Sequence, residues 1–118
     1  MSRALRLLLV EDHEDSAELL AELLKSHGYA VSVARCVMDA LSLAEAQAFD
    51  VVVSDVGLPD ASGYELMAKL RGRMKGIAIT GMTGADAEAR GREAGFSIQL
   101  TKPVSVRRLE QAIAALEV

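Results

Sequence analysis

Apolar positions along the chain alternate between two patterns, short continuous runs and longer stretches with helical spacing, and the switch recurs five times. The continuous runs are residues 5–10, 30–34, 51–54, 77–80 and 98–100. Runs this short and unalternating predict strands covered on both faces. The helical stretches are residues 14–27, 37–47, 63–71, 85–94 and 106–116, each long enough for a crossover between parallel strands. Leu20, Leu23 and Leu24 form an apolar stripe on the first, opposite Glu18, Glu22 and Lys25, and Gly28 stands where a left-handed C-terminal cap belongs. Ser62 with Glu65 predicts a capping box for the third helix, Thr83 with Asp86 the same for the fourth, and Ser105 a cap for the fifth. The second helix lacks a comparable start, because Cys36 holds that position. Five strands alternating with five helices predict an α/β fold: a doubly wound parallel sheet with right-handed crossovers and helices on both faces, a three-layer sandwich. The fourth helix offers only alanines, Gly91 and charges, so it is expected to pack weakly and to move most.

Composition narrows the picture. At 118 residues the chain is expected to be a single domain spanning 1–118, large enough for a core without metal or disulfide staples. Its one cysteine, Cys36, permits no intrachain bridge and suits a reducing, cytoplasmic setting. With 13 Lys and Arg against 17 Asp and Glu the net charge is −4, and no basic run interleaves with aromatics, so no nucleic-acid partner is expected. The longest large-apolar run, Leu7 to Val10, is far short of the ~20 residues of a spanning helix, so no membrane partner is expected either. Arg3 and Arg6 before leucines faintly mimic a signal peptide, but the apolar stretch is too short and no small-residue cleavage site follows, so the N-terminus is read as mature.

In an open parallel sheet, ligands bind beyond the carboxyl ends of the strands. The first strand ends in Glu11 and Asp12, the third in Asp55, the fourth in Thr80 and Gly81, and the fifth in Thr101, Lys102 and Pro103, while the second ends in Ala34 and Arg35 with no acid. Three carboxylates brought together repel, so the cluster requires a proton, a cation or a metal. Lys102 balances one charge, and the remainder suits Mg²⁺, which takes carboxylates, waters and phosphate oxygens. A metal, a lysine and a hydroxyl together meet the positioning and charge demands of phosphoryl transfer, and a carboxylate can itself be the acceptor.

These strand-end motifs are Leu8-Leu9-Val10-Glu11-Asp12, Ser54-Asp55-Val56-Gly57-Leu58-Pro59, Ala78-Ile79-Thr80-Gly81 and Lys102-Pro103. In that order they resemble the receiver domain of a two-component response regulator, over nearly the whole chain. The resemblance implies a flavodoxin-like (βα)5 sheet in strand order 2-1-3-4-5. It implies Asp55 as phosphoacceptor, and Mg²⁺ held by Asp12 directly, by Glu11 directly or through water, and by Asp55 and the Gly57 carbonyl. It further implies Thr80 and Lys102 on the phosphoryl oxygens, and a cis peptide between Lys102 and Pro103. The donor would be a histidine kinase or histidine phosphotransfer protein, and the chain a switch of the surface formed by its fourth helix, fifth strand and fifth helix rather than an enzyme. A homodimer through the fourth and fifth helices stays open. The Asp-Val-Gly-Leu-Pro loop is most similar to receivers of hybrid histidine kinases. The aromatic partner that the family places three residues before the lysine is Gln99 here, which has no ring to flip.

Two rivals accompany this reading. One is a pseudo-receiver that binds partners without taking phosphate; the other is an aspartate-nucleophile phosphohydrolase, which would place its nucleophile on the first strand with a second Asp two residues on. Single residues also admit blander roles. Asp12 could cap the first helix, Asp55 could form the turn before Leu58-Pro59, and Lys102 and Thr80 could be a surface lysine and a backbone-bonded hydroxyl. His13 is read as an exposed loop histidine rather than a ligand, His27 as a helix C-terminal residue favoured by the dipole, and Cys36 as a small buried apolar residue. Gly81-Met82-Thr83-Gly84 lacks the Lys-Ser/Thr of a phosphate loop.

Overall fold

The computed structural model describes residues 4–116; residues 1–3, Arg3 among them, and 117–118 lie outside the described residues. Five strands, β1 (Arg6–Val10), β2 (Ala30–Ala34), β3 (Val51–Asp55), β4 (Lys75–Thr80) and β5 (Ile98–Thr101), alternate with five helices. The helices are α1 (Glu14–Ser26), α2 (Val37–Ala46), α3 (Gly63–Leu70), α4 (Ala85–Ala94) and α5 (Val106–Ala115). All four strand pairings are parallel, in the order β2-β1-β3-β4-β5. The chain reverses direction of travel across the sheet between β1 and β3, whose carboxyl ends lie side by side with Val10 opposite Ser54.

Alternation along each strand sorts the core into two layers. Leu7, Leu9, Val51, Val53, Ile77 and Ile79 pack with Ala21 and Leu24 of α1 and Leu109, Ala112 and Ile113 of α5. Leu8, Val10, Val52 and Ala78 face α2 and α3, where Ala40, Leu66, Met67 and Leu70 close the other layer. β1 and β3 are buried on both faces from Leu7 to Val10 and from Val51 to Asp55. The apolar runs fall short at β4, which starts two residues earlier at Lys75, at β3, which extends to Asp55, and at β5, which extends to Thr101. Asp55 pairs with Ile79 and Val51 with Lys75, so the ladder with β3 extends both strands beyond their apolar residues.

Several local expectations change. On α1 the buried residues are Ala17, Ala21 and Leu24, while Leu23 and Leu19 face outward. Ala17, Ala21 and Leu24 lie four and three residues apart on one face, so Leu23 falls at its flank and turns partly toward solvent. Gly28 has the expected positive φ, +97°. Ser62 and Glu65 form the capping box and Ser105 caps α5. The Thr83–Asp86 box does not form: the N-cap of α4 is Gly84, with φ +111°, so the helix starts one residue later than that box requires. Asp12 does not cap α1, whose N-cap is His13 with no side-chain bond. Cys36 is partly exposed rather than buried, because it is the N-cap of α2, its Sγ accepting from the Asp39 N–H at 3.4 Å. As expected, α4 buries only Ala87, Gly91 and Ala94.

The weak sulfur cap is reinforced from a distance. Asp60, in the loop after β3, accepts from the N–H of Val37 at 2.9 Å and of Met38 at 3.0 Å, the first two residues of α2. These bonds, Val37 first, hold the Asp60 carboxyl below its ordinary pKa. A group so lowered adds stability above its unfolded pKa and loses it as pH falls through the folded one. Asp60→Ala is therefore expected to lower Tm by several degrees at about pH 7, and the gap to narrow at about pH 3. Thermal melts at both pH values check this; a gap of equal size at both would overturn it.

Candidate functional site

The carboxyl ends of β1, β3, β4 and β5 converge on Asp55. Its residue is 6 % exposed, and each carboxylate oxygen has a fixed partner. Oδ2 meets Lys102 Nζ at 2.7 Å, and Oδ1 accepts from the Gly57 N–H at 3.2 Å. The loop that supplies Gly57 is clamped on both sides. Val56 N–H donates to Ile79 O at 3.1 Å, Gly63 N–H to Val56 O at 2.8 Å, and Gly57 bridges Ser62. Gly63 is required here by space, because a Cβ on it would overlap the carbonyl oxygen of Asp55 and stand 3.0 Å from Val56 Cα.

Glu11 leaves β1 with its N–H on Ala34 O at 3.0 Å, and brings its carboxylate beside Asp12. Ligand atoms of Glu11, Asp12, His13 and Asp55 all lie within 4.8 Å of one another. Asp12 Oδ1 is buried and accepts no hydrogen bond, an arrangement that costs free energy unless a cation meets it. An oxygen-rich donor set around that orphaned atom fits a hard divalent cation. Lys102 carries the nearest fixed positive charge. Burial pulls its pKa down, but the hydrogen bond and charge of Asp55, then the charges of Glu11 and Asp12, outweigh this and hold it above the ordinary lysine value.

Thr80 is 3 % exposed, one residue beyond Ile79, the strand partner of Asp55. Its Oγ1 accepts from the Met82 N–H at 3.0 Å, and its carbonyl accepts from the Lys102 N–H at 2.9 Å, which ties the β4 and β5 ends together. The Lys102–Pro103 peptide is cis. The structure thus brings Glu11, Asp12, Asp55 and Lys102 into one cluster, with Thr80 and Gly57 on its borders.

Sequence reasoning set aside one neighbour of the site and missed another. His13 is exposed as expected, yet its Nδ1 stands 3.3 Å from Glu11 Oε2 and 3.4 Å from Asp12 Oδ1. Its position directly after the acid pair was the available signal. The other is Gly63, whose role depends on how closely α3 approaches β3. Behind the site, Gln99 Oε1 and the Tyr64 hydroxyl are both buried without a hydrogen-bond partner. Gln99 fits because α4 presents Gly91, where a Cβ would come within 2.6 Å of its Oε1. The Tyr64 ring packs edge-on against Phe96 and carries the Arg90 guanidinium 4.7 Å above it.

The sequence pattern of the response regulator receiver domain matches residues 7–114. The sensor histidine kinase RcsC of Salmonella typhi is 35 % identical over 111 residues, 92 % of this chain and 12 % of that protein. The sensor protein EvgS of Escherichia coli is 34 % identical over 116 residues, 95 % of this chain and 10 % of its own length. This chain therefore spans about a tenth of these relatives. A solved response regulator receiver domain protein (CheY-like) from Methanospirillum hungatei superposes with a TM-score of 0.88 at 30 % identity, covering 96 % of this chain and 93 % of that one. The chemotaxis response regulator CheY4 of Vibrio cholerae shares the fold, with a TM-score of 0.89 at 24 % identity over 96 % of this chain and 98 % of its own.

Proposed function

This chain belongs to the response regulator receiver domain family of two-component systems, and from that membership we propose that Asp55 accepts a phosphoryl group from the phosphohistidine of a histidine kinase or histidine phosphotransfer protein. The observation that supports this most directly is the buried Asp55 carboxylate, pinned between the Gly57 N–H and Lys102 and bordered by Glu11 and Asp12. Glu11, Asp12, Asp55 and the Gly57 carbonyl would hold Mg²⁺, which when bound neutralises charge on the phosphoryl oxygens. An Asp55 oxygen attacks phosphorus, the bond from phosphorus to the donor's imidazole nitrogen breaks, and that nitrogen leaves carrying the electron pair. Lys102 then transfers its pairing from the carboxylate to a phosphoryl oxygen, and the Thr80 hydroxyl donates to another.

The step modifies the chain's own residue, so the domain is a switch and not a turnover enzyme, acting as one unit over 1–118 in the cytoplasm with its kinase. No helix among the described residues is long and apolar enough to cross a membrane. The output is a change of the α4-β5-α5 face. The thin α4 contact and the unpaired Gln99 and Tyr64 atoms support that element as the one that rearranges. Incubation with acetyl phosphate tests the reading. Intact mass is expected to rise by one phosphoryl group with Mg²⁺ and not with a chelator, with altered hydrogen exchange in α4 of the modified form. No gain in mass while Mg²⁺ binds would favour a pseudo-receiver.

The phosphoryl group is expected to last. The residues two beyond Asp55 and two beyond Thr80 are Gly57 and Met82, and neither side chain can orient a water toward phosphorus. Decay followed by intact mass after donor removal should take many minutes or longer; loss within seconds would overturn this.

A further inference from the structure

We propose that His13 is a nitrogen ligand to the ion at this centre, and that it gives the site a preference for borderline transition-metal ions over Mg²⁺. This rests on reading the acidic cluster as a metal site. Two donors bound to one ion at about 2.1 Å and at right angles stand roughly 3 Å apart, and opposite donors roughly 4.2 Å apart. His13 Nδ1 lies 3.3 Å from Glu11 Oε2 and 3.4 Å from Asp12 Oδ1, close to such edges, and the Asp55 ligand atom falls within the same 4.8 Å. The donors are therefore nearly placed for a single coordination shell.

The backbone fixes this placement. His13 is the N-cap of α1, in extended conformation at φ −79° and ψ 110°, and its own N–H donates to Glu11 Oε2 at 3.2 Å. Asp12 Oδ1, buried and without a hydrogen bond, is the atom that gains most from an ion between it and the imidazole. Binding through Nδ1 replaces the hydrogen bond that Nδ1 makes to Glu11 Oε2 at 3.3 Å and leaves the proton on Nε2, on a ring that is 70 % exposed. Carboxylate and water ligands alone suit Mg²⁺, whereas an added imidazole selects for Co²⁺, Ni²⁺ or Zn²⁺ along the usual affinity order.

Direct titration of the unphosphorylated protein with Mg²⁺ and, separately, Co²⁺ tests this. His13→Ala should weaken Co²⁺ by about tenfold or more and change its visible spectrum, while Mg²⁺ affinity stays within about twofold. His27→Ala, on the other side of the molecule against Glu110, should change neither. Equal weakening of both ions in His13→Ala, no weakening of Co²⁺, or loss of Co²⁺ in His27→Ala would overturn the proposal. If Asp12→Asn loses both ions while His13→Ala loses neither, only the role of His13 falls; if the wild type binds neither ion, the metal reading falls with it.

Discussion

Asp55→Asn is expected to take up no phosphoryl group from acetyl phosphate under conditions in which the wild type gains one, and to do so as a folded protein. The side chain keeps its size in a position only 6 % exposed, so packing beside Val53 and Ile79 is unchanged. What is lost is the nucleophile, because an amide oxygen does not carry the charge that attacks phosphorus and forms an acyl phosphate. Removing one of three neighbouring carboxylates also lowers the charge at the Glu11 and Asp12 cluster, which offsets the loss of the Lys102 pairing. Mass gain is expected to fall to baseline, with Tm within a few degrees of wild type. A variant that is folded and still phosphorylated would move the acceptor elsewhere in the chain.

Gly63→Ala is expected to have the largest effect on stability of any single methyl addition near the site. The new Cβ would overlap the Asp55 carbonyl oxygen and press on Val56 Cα at 3.0 Å and Asp55 C at 3.2 Å. All three atoms are backbone, so no side chain can rotate away. The N-terminus of α3 must retreat, which strains the Gly63-to-Val56 hydrogen bond of 2.8 Å and the Gly57–Ser62 bridge. Overpacking costs about 1–3 kcal/mol, and a weakened buried hydrogen bond adds about 1 kcal/mol. A loss of about 3 kcal/mol is expected in denaturant unfolding, with slower phosphoryl uptake because the Asp55 carbonyl and the Gly57 N–H both shift. Gly57→Ala is the comparison: nothing lies within 4 Å of its added Cβ, and its unfolding free energy should stay within about 0.5 kcal/mol. Equal stability of the two variants would overturn the steric account.

Local pattern alone determined the five strands, the five helices and the acids and lysine at the strand ends. Periodicity of 3.6 against continuous apolar runs is a property of neighbouring residues, and strand-end chemistry follows once the sheet is parallel. Capping at Ser62 and Ser105 was legible for the same reason, since each bond joins residues three apart. Other features required the folded chain. Asp60 reaches α2 from 23 residues away, and Gly91 makes room for Gln99 across a helix–sheet contact. Asp55 joins Glu11 and Asp12 because β1 and β3 are neighbours, so that it comes within reach of the residues after Val10. On α1 it is Ala17, Ala21 and Leu24 that are buried, while Leu23 faces outward. Each of these depends on distances between elements, which are set by strand order and by side-chain volume at the contact rather than by any spacing along the chain.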